Sequence, residues 1–337
     1  MQIQDKHVLV TGGAGFIGSN LVDHLLDRGA WVRVIDDFSA GHERNLVYAR
    51  KLGAEIVRGD VTDPETLARV MQGIDVVMHL ACSCLRVSLQ HPRASHDINA
   101  GGTLTVLDAA SSAAVERFLY CSSSEAYGTA RADYMSEEHP TRPTTVYGAS
   151  KLAGEWYTLA YGSTRALPAM VVRPFNTYGY REHVVGASGE VIPKMTLRAL
   201  SGKAPVILGN GEQTRDFTFV TDTVRGLLAA TECDEMVGEI VNVAYGREVT
   251  VKRIAELICA ACETDVAPVY APARPADVER HQADVSKARD RLNFAATVAI
   301  DEGIERYVTW FREHYGEQLE TLLASDETRN WELAEAA

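Results

Sequence analysis

Tyr147-Gly148-Ala149-Ser150-Lys151 sets a phenol and an ammonium four residues apart, and on a helix that spacing puts both on one face. A lysine cation beside a phenol favours the phenolate and lowers its pKa, which makes the tyrosine a usable base near neutral pH. Upstream stands Cys121-Ser122-Ser123-Ser124-Glu125. A serine hydroxyl there can hydrogen-bond a substrate hydroxyl and steady proton transfer to the tyrosine. Glu125, just past the serines, offers a carboxylate as a second base, or else a structural cap for the turn that follows.

These groups need a scaffold that brings them together. Arg117-Phe118-Leu119-Tyr120-Cys121 reads as a buried strand that delivers the serines at its C-terminal end, where ligands bind to a parallel sheet. The first strand, His7-Val8-Leu9-Val10, runs into Thr11-Gly12-Gly13-Ala14-Gly15-Phe16-Ile17-Gly18 and then an amphipathic helix to Gly29. Glycines at 12, 15 and 18 on a strand–helix junction allow a tight turn, close approach to a pyrophosphate and close helix–strand packing. The helix N-terminus adds free N–H groups and the positive end of a dipole. A second strand, Val32 to Ile35, ends in Asp36-Asp37, placed to take the adenosine ribose hydroxyls and to repel a 2′-phosphate. The cofactor expected is therefore NAD. Ala54–Val57 and Asp75–Ala81 are a third and a fourth strand, and Ala169–Arg173 a sixth.

Strands alternating with helical segments call for an α/β, Rossmann-type, doubly wound parallel sheet. After Pro174 the texture shifts to Gly, Pro and short strands, with helices expected near 190–201, 222–231 and 251–262. The organisation read from this is an NAD-binding region over 1–175 that also carries the catalytic Ser, Tyr and Lys. A smaller mixed α/β substrate-binding region follows over 176–325, some segments of which return to the sheet. Residues 326–337 form a polar, acidic tail, expected as a helix extension or a frayed end.

The 337 residues carry a net charge of −13, with 46% apolar and 23% charged residues. An acidic, ordinarily apolar chain disfavours nucleic acid and anionic membrane as partners. The absence of a long apolar run or a signal pattern points to the cytoplasm. Six cysteines in a chain of this length are no disulfide framework. Cys259 and Cys262 lie within an apolar helix with no second ligand pair nearby, so they read as core thiols and no metal site is expected. Cys82 and Cys84 follow the fourth strand and read as small packing residues.

Taken with Asp60-Val61, His79-Leu80-Ala81, Asn99-x-x-Gly102-Thr103, Arg173-Pro174-Phe175-Asn176-Thr177-Tyr178-Gly179, Gln213-Thr214-Arg215-Asp216-Phe217 and Arg274-Pro275-Ala276-Asp277-Val278, these motifs are telling. The chain resembles the extended short-chain dehydrogenases/reductases of the nucleotide-sugar epimerase/dehydratase family from residue 7 to about residue 310. The resemblance implies that Tyr147 takes the proton of the sugar 4-hydroxyl and that Lys151 holds the nicotinamide ribose and tunes Tyr147. It makes Ser123 the serine/threonine of the triad, with Ser124 beside the substrate. Asp60 and Val61 would bracket the adenine, and Leu80 and Ala81 line the cofactor path. Asn176 would approach the substrate pyrophosphate, Arg215 and Arg274 neutralise it, and Asp277 meet the nucleoside ribose. The loop Cys82-Ser83-Cys84-Leu85-Arg86-Val87-Ser88 is one residue shorter than the family usually has, and it borders the hexose.

The shared first step of such enzymes is hydride transfer from sugar C4 to NAD, giving a 4-keto sugar. An epimerase needs no further base, whereas a dehydratase or uronate decarboxylase acts beyond C4. Glu125 resembles the glutamate of the latter two, so a dehydratase- or decarboxylase-type reaction is the leading expectation and 4-epimerisation the alternative. A dinucleotide-sensing regulator is a minor third reading, disfavoured because Tyr147 and Lys151 are both intact. The helices around 92–114 and 147–162 resemble the family's four-helix dimer face, so a homodimer is expected; Leu107, Tyr157 and Leu159 fit either that face or the core.

Overall fold

The computed structural model of the protein describes residues 1–332. Seven parallel strands form the central sheet: β1 (His7–Thr11), β2 (Trp31–Asp36), β3 (Glu55–Arg58), β4 (Val76–His79), β5 (Arg117–Cys121), β6 (Ala169–Pro174) and, from far along the chain, Ile240–Val243. Their order is Ile240–Val243, β6, β5, β4, β1, β2, β3, so the direction of winding reverses between β1 and β4. That switch point opens a crevice at the strands' C-terminal ends.

The strands are near-continuous apolar runs because both faces are covered. Val8, Val10, Val76, Leu119 and Val172 pack in one cluster and Leu9, Val77, Phe118, Tyr120 and Val171 in another. A third apolar cluster, around Tyr178, Ile192, Ile207, Phe219, Ile254 and Phe311, belongs to the second half of the chain. Helices Val191–Leu200, Val220–Glu232 and Val251–Ala261 lie within a residue or two of the expected spans. Among the described residues no helix is long and apolar enough to cross a membrane.

One expectation is decided here and another corrected. Leu107 is fully buried among Val106, Ala110 and Phe118, and Tyr157 and Leu159 lean on the same cluster, so Leu107 has no free face to offer a partner. Residues 325–332 neither extend the helix Leu319–Ala324 nor fray: the Asp326 side chain and Asn330 are buried and bonded to the body of the protein. Composition reports the polarity of such a segment but not its long-range partners. Residues 333–337 of the expected tail lie outside the described residues.

Candidate active site

The turn after β1 is held by Gly12 N–H on the Ile35 carbonyl (2.9 Å) and Gly15 N–H on the Gly12 carbonyl (3.2 Å). Gly12 has φ +68°, and a Cβ there would lie 2.8 Å from the Ala81 backbone; one at Gly18 would overlap the Gly12 carbonyl oxygen. The tight turn and the close packing of helix on strand are thus built in. Gly15 caps the helix Phe16–Asp27 in an extended conformation with no side-chain cap and no acidic residue in the first turn, which leaves its N–H groups and dipole for an outside anion. These features fit the pyrophosphate of a dinucleotide.

Asp36 closes β2 with its carboxylate accepting from Ala14 N (2.8 Å) and Phe38 N (2.8 Å). Burial raises its pKa, and those two backbone hydrogen bonds work against the rise. Each oxygen keeps a second lone pair for a ribose hydroxyl. Asp37 is exposed and ties down Ser39. At the end of β4, Thr11 Oγ1 accepts from Leu80 N and Ala81 N, both 3.1 Å, while His79 bridges the hydroxyls of Thr11 and Thr103. Burial pushes His79 down to about 3, so it is neutral. Asn99 sits in a π-helical turn, Asp97–Gly102. It clamps the next loop through Ser83 N (2.7 Å) and Ser83 O (3.0 Å), and reaches Ser150 Oγ (3.2 Å).

The candidate catalytic residues are positioned by the helix Val146–Arg165. Thr145 caps it through Gly148 N (3.1 Å), and a Cβ at Gly148 would meet the Glu125 carbonyl at 2.5 Å. Only glycine lets this helix start lie so close to the 3-10 turn Ser124–Ala126, and that contact brings Tyr147 alongside Ser123. Behind them Glu155 accepts from Arg173 at 2.8 and 2.6 Å and from Ser122, in a fully buried brace that ties the helix to β5 and β6.

Tyr147 is raised well above the usual tyrosine range, first by burial and next by the Cys82 thiol, while hydrogen bonding to Ser123 holds it down. Lys151 is not among the largest influences on it. The Lys151 ammonium donates to the Cys121 carbonyl (2.6 Å) and lies 4.4 Å from the Tyr120 ring centre. It shares the helix face with Tyr147 but is drawn to the strand backbone beneath it. Glu125 has its own N–H on Ser123 Oγ (3.2 Å), yet its Oε2 is buried without a partner, so the side chain caps nothing. Its pKa is raised by burial, with Arg274 and then Arg215 opposing. Those arginines converge on Asp277 Oδ1, at 2.6 and 2.8 Å.

One cleft of about 630 Å³ runs from the glycine turn, past the end of β5, into the second half of the chain. It is lined by Gly12, Gly15, Phe16, Ile17, Gly18, Asp36, Asp37, Asp60, Val61, Leu80 and Ala81 on the sheet side. Ser123, Ser124, Glu125, Tyr147 and Lys151 line its middle, and Asn176, Arg215, Arg274 and Asp277 its far side. Asn176 Oδ1 is a buried acceptor with no partner. Cys82 is exposed on the cleft wall rather than packed, whereas Cys84 is half-buried against Ala187 and Ser188. Cys259 and Cys262 are buried, and burial pushes the Cys262 thiol up to about 12.

Sequence reading placed Arg86 only as part of the loop bordering the hexose, singled out none of Glu182, Glu190, Lys194 and Arg198, and missed Asp326, Thr328, Asn330 and Trp331; all of them line the same cleft. Glu182 is pushed well above the carboxylate range by burial and then by its neighbour Glu190. Only Lys194 and Arg198 left a local trace, as two cations four apart on one helix.

The model of the NAD-dependent epimerase/dehydratase family matches residues 8–244. A putative UDP-glucose 4-epimerase of Methanocaldococcus jannaschii is 32% identical over 310 residues, 91% of this chain and 99% of that one. UDP-glucuronic acid decarboxylase 1 of Arabidopsis thaliana is 32% identical over 312 residues, 90% of this chain and 69% of that one. Among solved structures, an epimerase of Methanothermobacter thermautotrophicus superposes with a TM-score of 0.89 at 36% identity, over 95% of both chains. The dTDP-glucose 4,6-dehydratase of Streptomyces venezuelae, solved with NAD bound, gives 0.87 at 30% identity over 94% of this chain and 99% of that one.

Proposed function

The chain belongs to the NAD-dependent epimerase/dehydratase family, and on that footing we propose that it converts a nucleoside-diphosphate sugar through a transient 4-keto hexose, with Glu125 as a second base. NAD, held by the glycine turn, Asp36, Asp60 and Val61, would supply the hydride acceptor for sugar C4. Every other step falls to the protein. Tyr147 takes the 4-hydroxyl proton, and Ser123 holds that hydroxyl toward it. Lys151, buried at the strand end, places a cation where phenolate charge develops. Arg215 and Arg274, now paired through Asp277, neutralise the substrate diphosphate, and the Asn176 side-chain amide donates its N–H to a diphosphate oxygen.

The observation that carries the second base is the free Oε2 of Glu125, buried on the cleft wall beside Ser123 and Ser124. A 4-ketone acidifies the C5–H bond. A carboxylate with a raised pKa is the right group to remove that proton while water leaves from C6, or to assist at C5 in a uronate that loses carbon dioxide. Product mass after incubation with NAD and a panel of nucleotide sugars tests this. Elimination or decarboxylation gives a lighter product that disappears in Glu125→Gln, while partial reduction of NAD persists. Full turnover by Glu125→Gln overturns the role.

Four-epimerisation is the second reading, favoured because the relatives from the two methanogens are named epimerases and match nearly end to end. A product of unchanged mass selects it. We also propose a homodimer through the helices Thr103–Ser112 and Val146–Arg165, where Leu104, Val146 and Trp156 are 39%, 39% and 59% exposed. A monomer mass at micromolar concentration counts against it.

A further inference from the structure

After the helix Leu319–Ala324 the chain turns and crosses the mouth of the cleft. Asp326, only 1% exposed in its side chain, accepts from Arg198 Nη1 (2.8 Å) and lies 3.5 Å from Lys194 Nζ, which itself donates to the Glu327 carbonyl. Asn330 donates to the carbonyls of Gly186 (2.8 Å) and Gly189 (3.0 Å). Gln90 reaches back to the carbonyls of Asn330 (3.2 Å) and Glu332 (2.7 Å). The loop that Asn330 grips is gripped from its other side by Arg86, through Ala187 O (3.0 Å) and Ser188 O (2.8 Å). Asp326, Thr328, Asn330 and Trp331 therefore form part of the cleft wall.

The position of this segment is selective. Its partners are the loop 186–189, the helix Val191–Leu200 and Gln90; none belongs to the glycine turn or to Asp36, Asp60 or Val61. The contacts are also of a kind that lets go. The hydrogen bonds are to side-chain cations and loop carbonyls, Trp331 is the one large apolar side chain the segment buries, and Asp326 Oδ1 and the Trp331 indole N–H are both buried without a hydrogen-bond partner, a penalty on the docked state. A segment held by two cations and a few carbonyls, carrying one unsatisfied donor, can open to admit a large ligand and close behind it.

We propose that residues 326–332 are a strap that completes the substrate half of the cleft and retains the nucleotide sugar there, with Asp326 on Lys194 and Arg198 as its latch. This rests on the reading of the cleft as a nucleotide-sugar site. The strap acts on substrate residence and leaves the dinucleotide half alone.

Two variants test it: truncation after Ser325, and Asp326→Asn, which keeps the size of the side chain and removes the latch charge. Calorimetry with UDP, dTDP and GDP as probes, and separately with NAD, gives the readout. The strap requires affinity for the bound nucleoside diphosphate to fall about tenfold in the truncation and severalfold in Asp326→Asn, with NAD affinity unchanged within about twofold. Equal nucleoside-diphosphate affinity in wild type and both variants overturns the strap alone, as does a parallel loss of NAD binding, which would mark a purely structural segment. A wild-type protein that binds NAD but none of the three probes overturns the nucleotide-sugar reading and the strap with it.

Discussion

The buried brace behind the catalytic residues makes a sharp prediction. Arg173 and Glu155 are 2% and 1% exposed and meet through two short hydrogen bonds, and Arg173 also stacks 4.5 Å from the Tyr127 ring centre. Arg173→Met keeps most of the volume but leaves a carboxylate buried without its cation, a defect of about 3–5 kcal/mol. Unfolding entropy near ~2.1 cal/mol/K per residue, over a chain of 337 residues, makes that a fall of roughly 4–7 °C in Tm. The loss carries a pH dependence. A buried carboxylate left with only a neutral donor, Ser122, takes up a proton in the folded state at a pH where the unfolded chain has released it, so stability falls as pH rises through that window and returns on acidification. Thermal melts of wild type and variant at several pH values between about 5 and 8 check both parts. Replacing both partners, Arg173→Met with Glu155→Leu, recovers much of the deficit because no charge is left behind. A deficit that is equal at every pH, or a double variant worse than the single, refutes the assignment of the cost to an orphaned charge.

Other consequences can be checked as directly. Gly18→Ala pushes a methyl into the Gly12 carbonyl, so NAD affinity by calorimetry should drop at least tenfold with little effect on nucleoside-diphosphate binding. With Tyr147 as the proposed base, Tyr147→Phe should lower kcat by about 10²–10⁴ while KM stays near wild type. Asp36→Ser removes the carboxylate that repels a 2′-phosphate, so the ratio of NADP to NAD affinity should rise. Burial raises the Asp216 carboxyl to about 7, against the N–H groups of Ala283 and Gly246. Because its folded pKa is raised, its contribution to stability is present at acid pH and is lost as pH rises through about 7. Asp216→Asn should flatten the decline of Tm over that range.

Much of this protein is local in origin. Runs of apolar, β-branched residues separated by helical periodicity, with glycines at the first strand–helix junction, determine a parallel doubly wound sheet and mark its cofactor turn, because each feature acts within a few neighbouring residues. Tyr147, Lys151, Ser123 and Glu125 were legible as candidates for the same reason: spacing on a helix and position at a strand end are short-range facts. What they do to one another was not. That Lys151 settles on the Cys121 carbonyl, that Glu125 keeps an unpaired oxygen, and that Asp277 draws Arg215 and Arg274 together are outcomes of packing between segments distant in sequence. The same holds for Arg86, Lys194 and Arg198, whose roles exist only once the loops fold over the sheet. The C-terminal residues show the limit most plainly, since their polarity read as a frayed end. Only the tertiary structure supplies the two buried-facing cations and the loop carbonyls that make that polar segment a wall of the site.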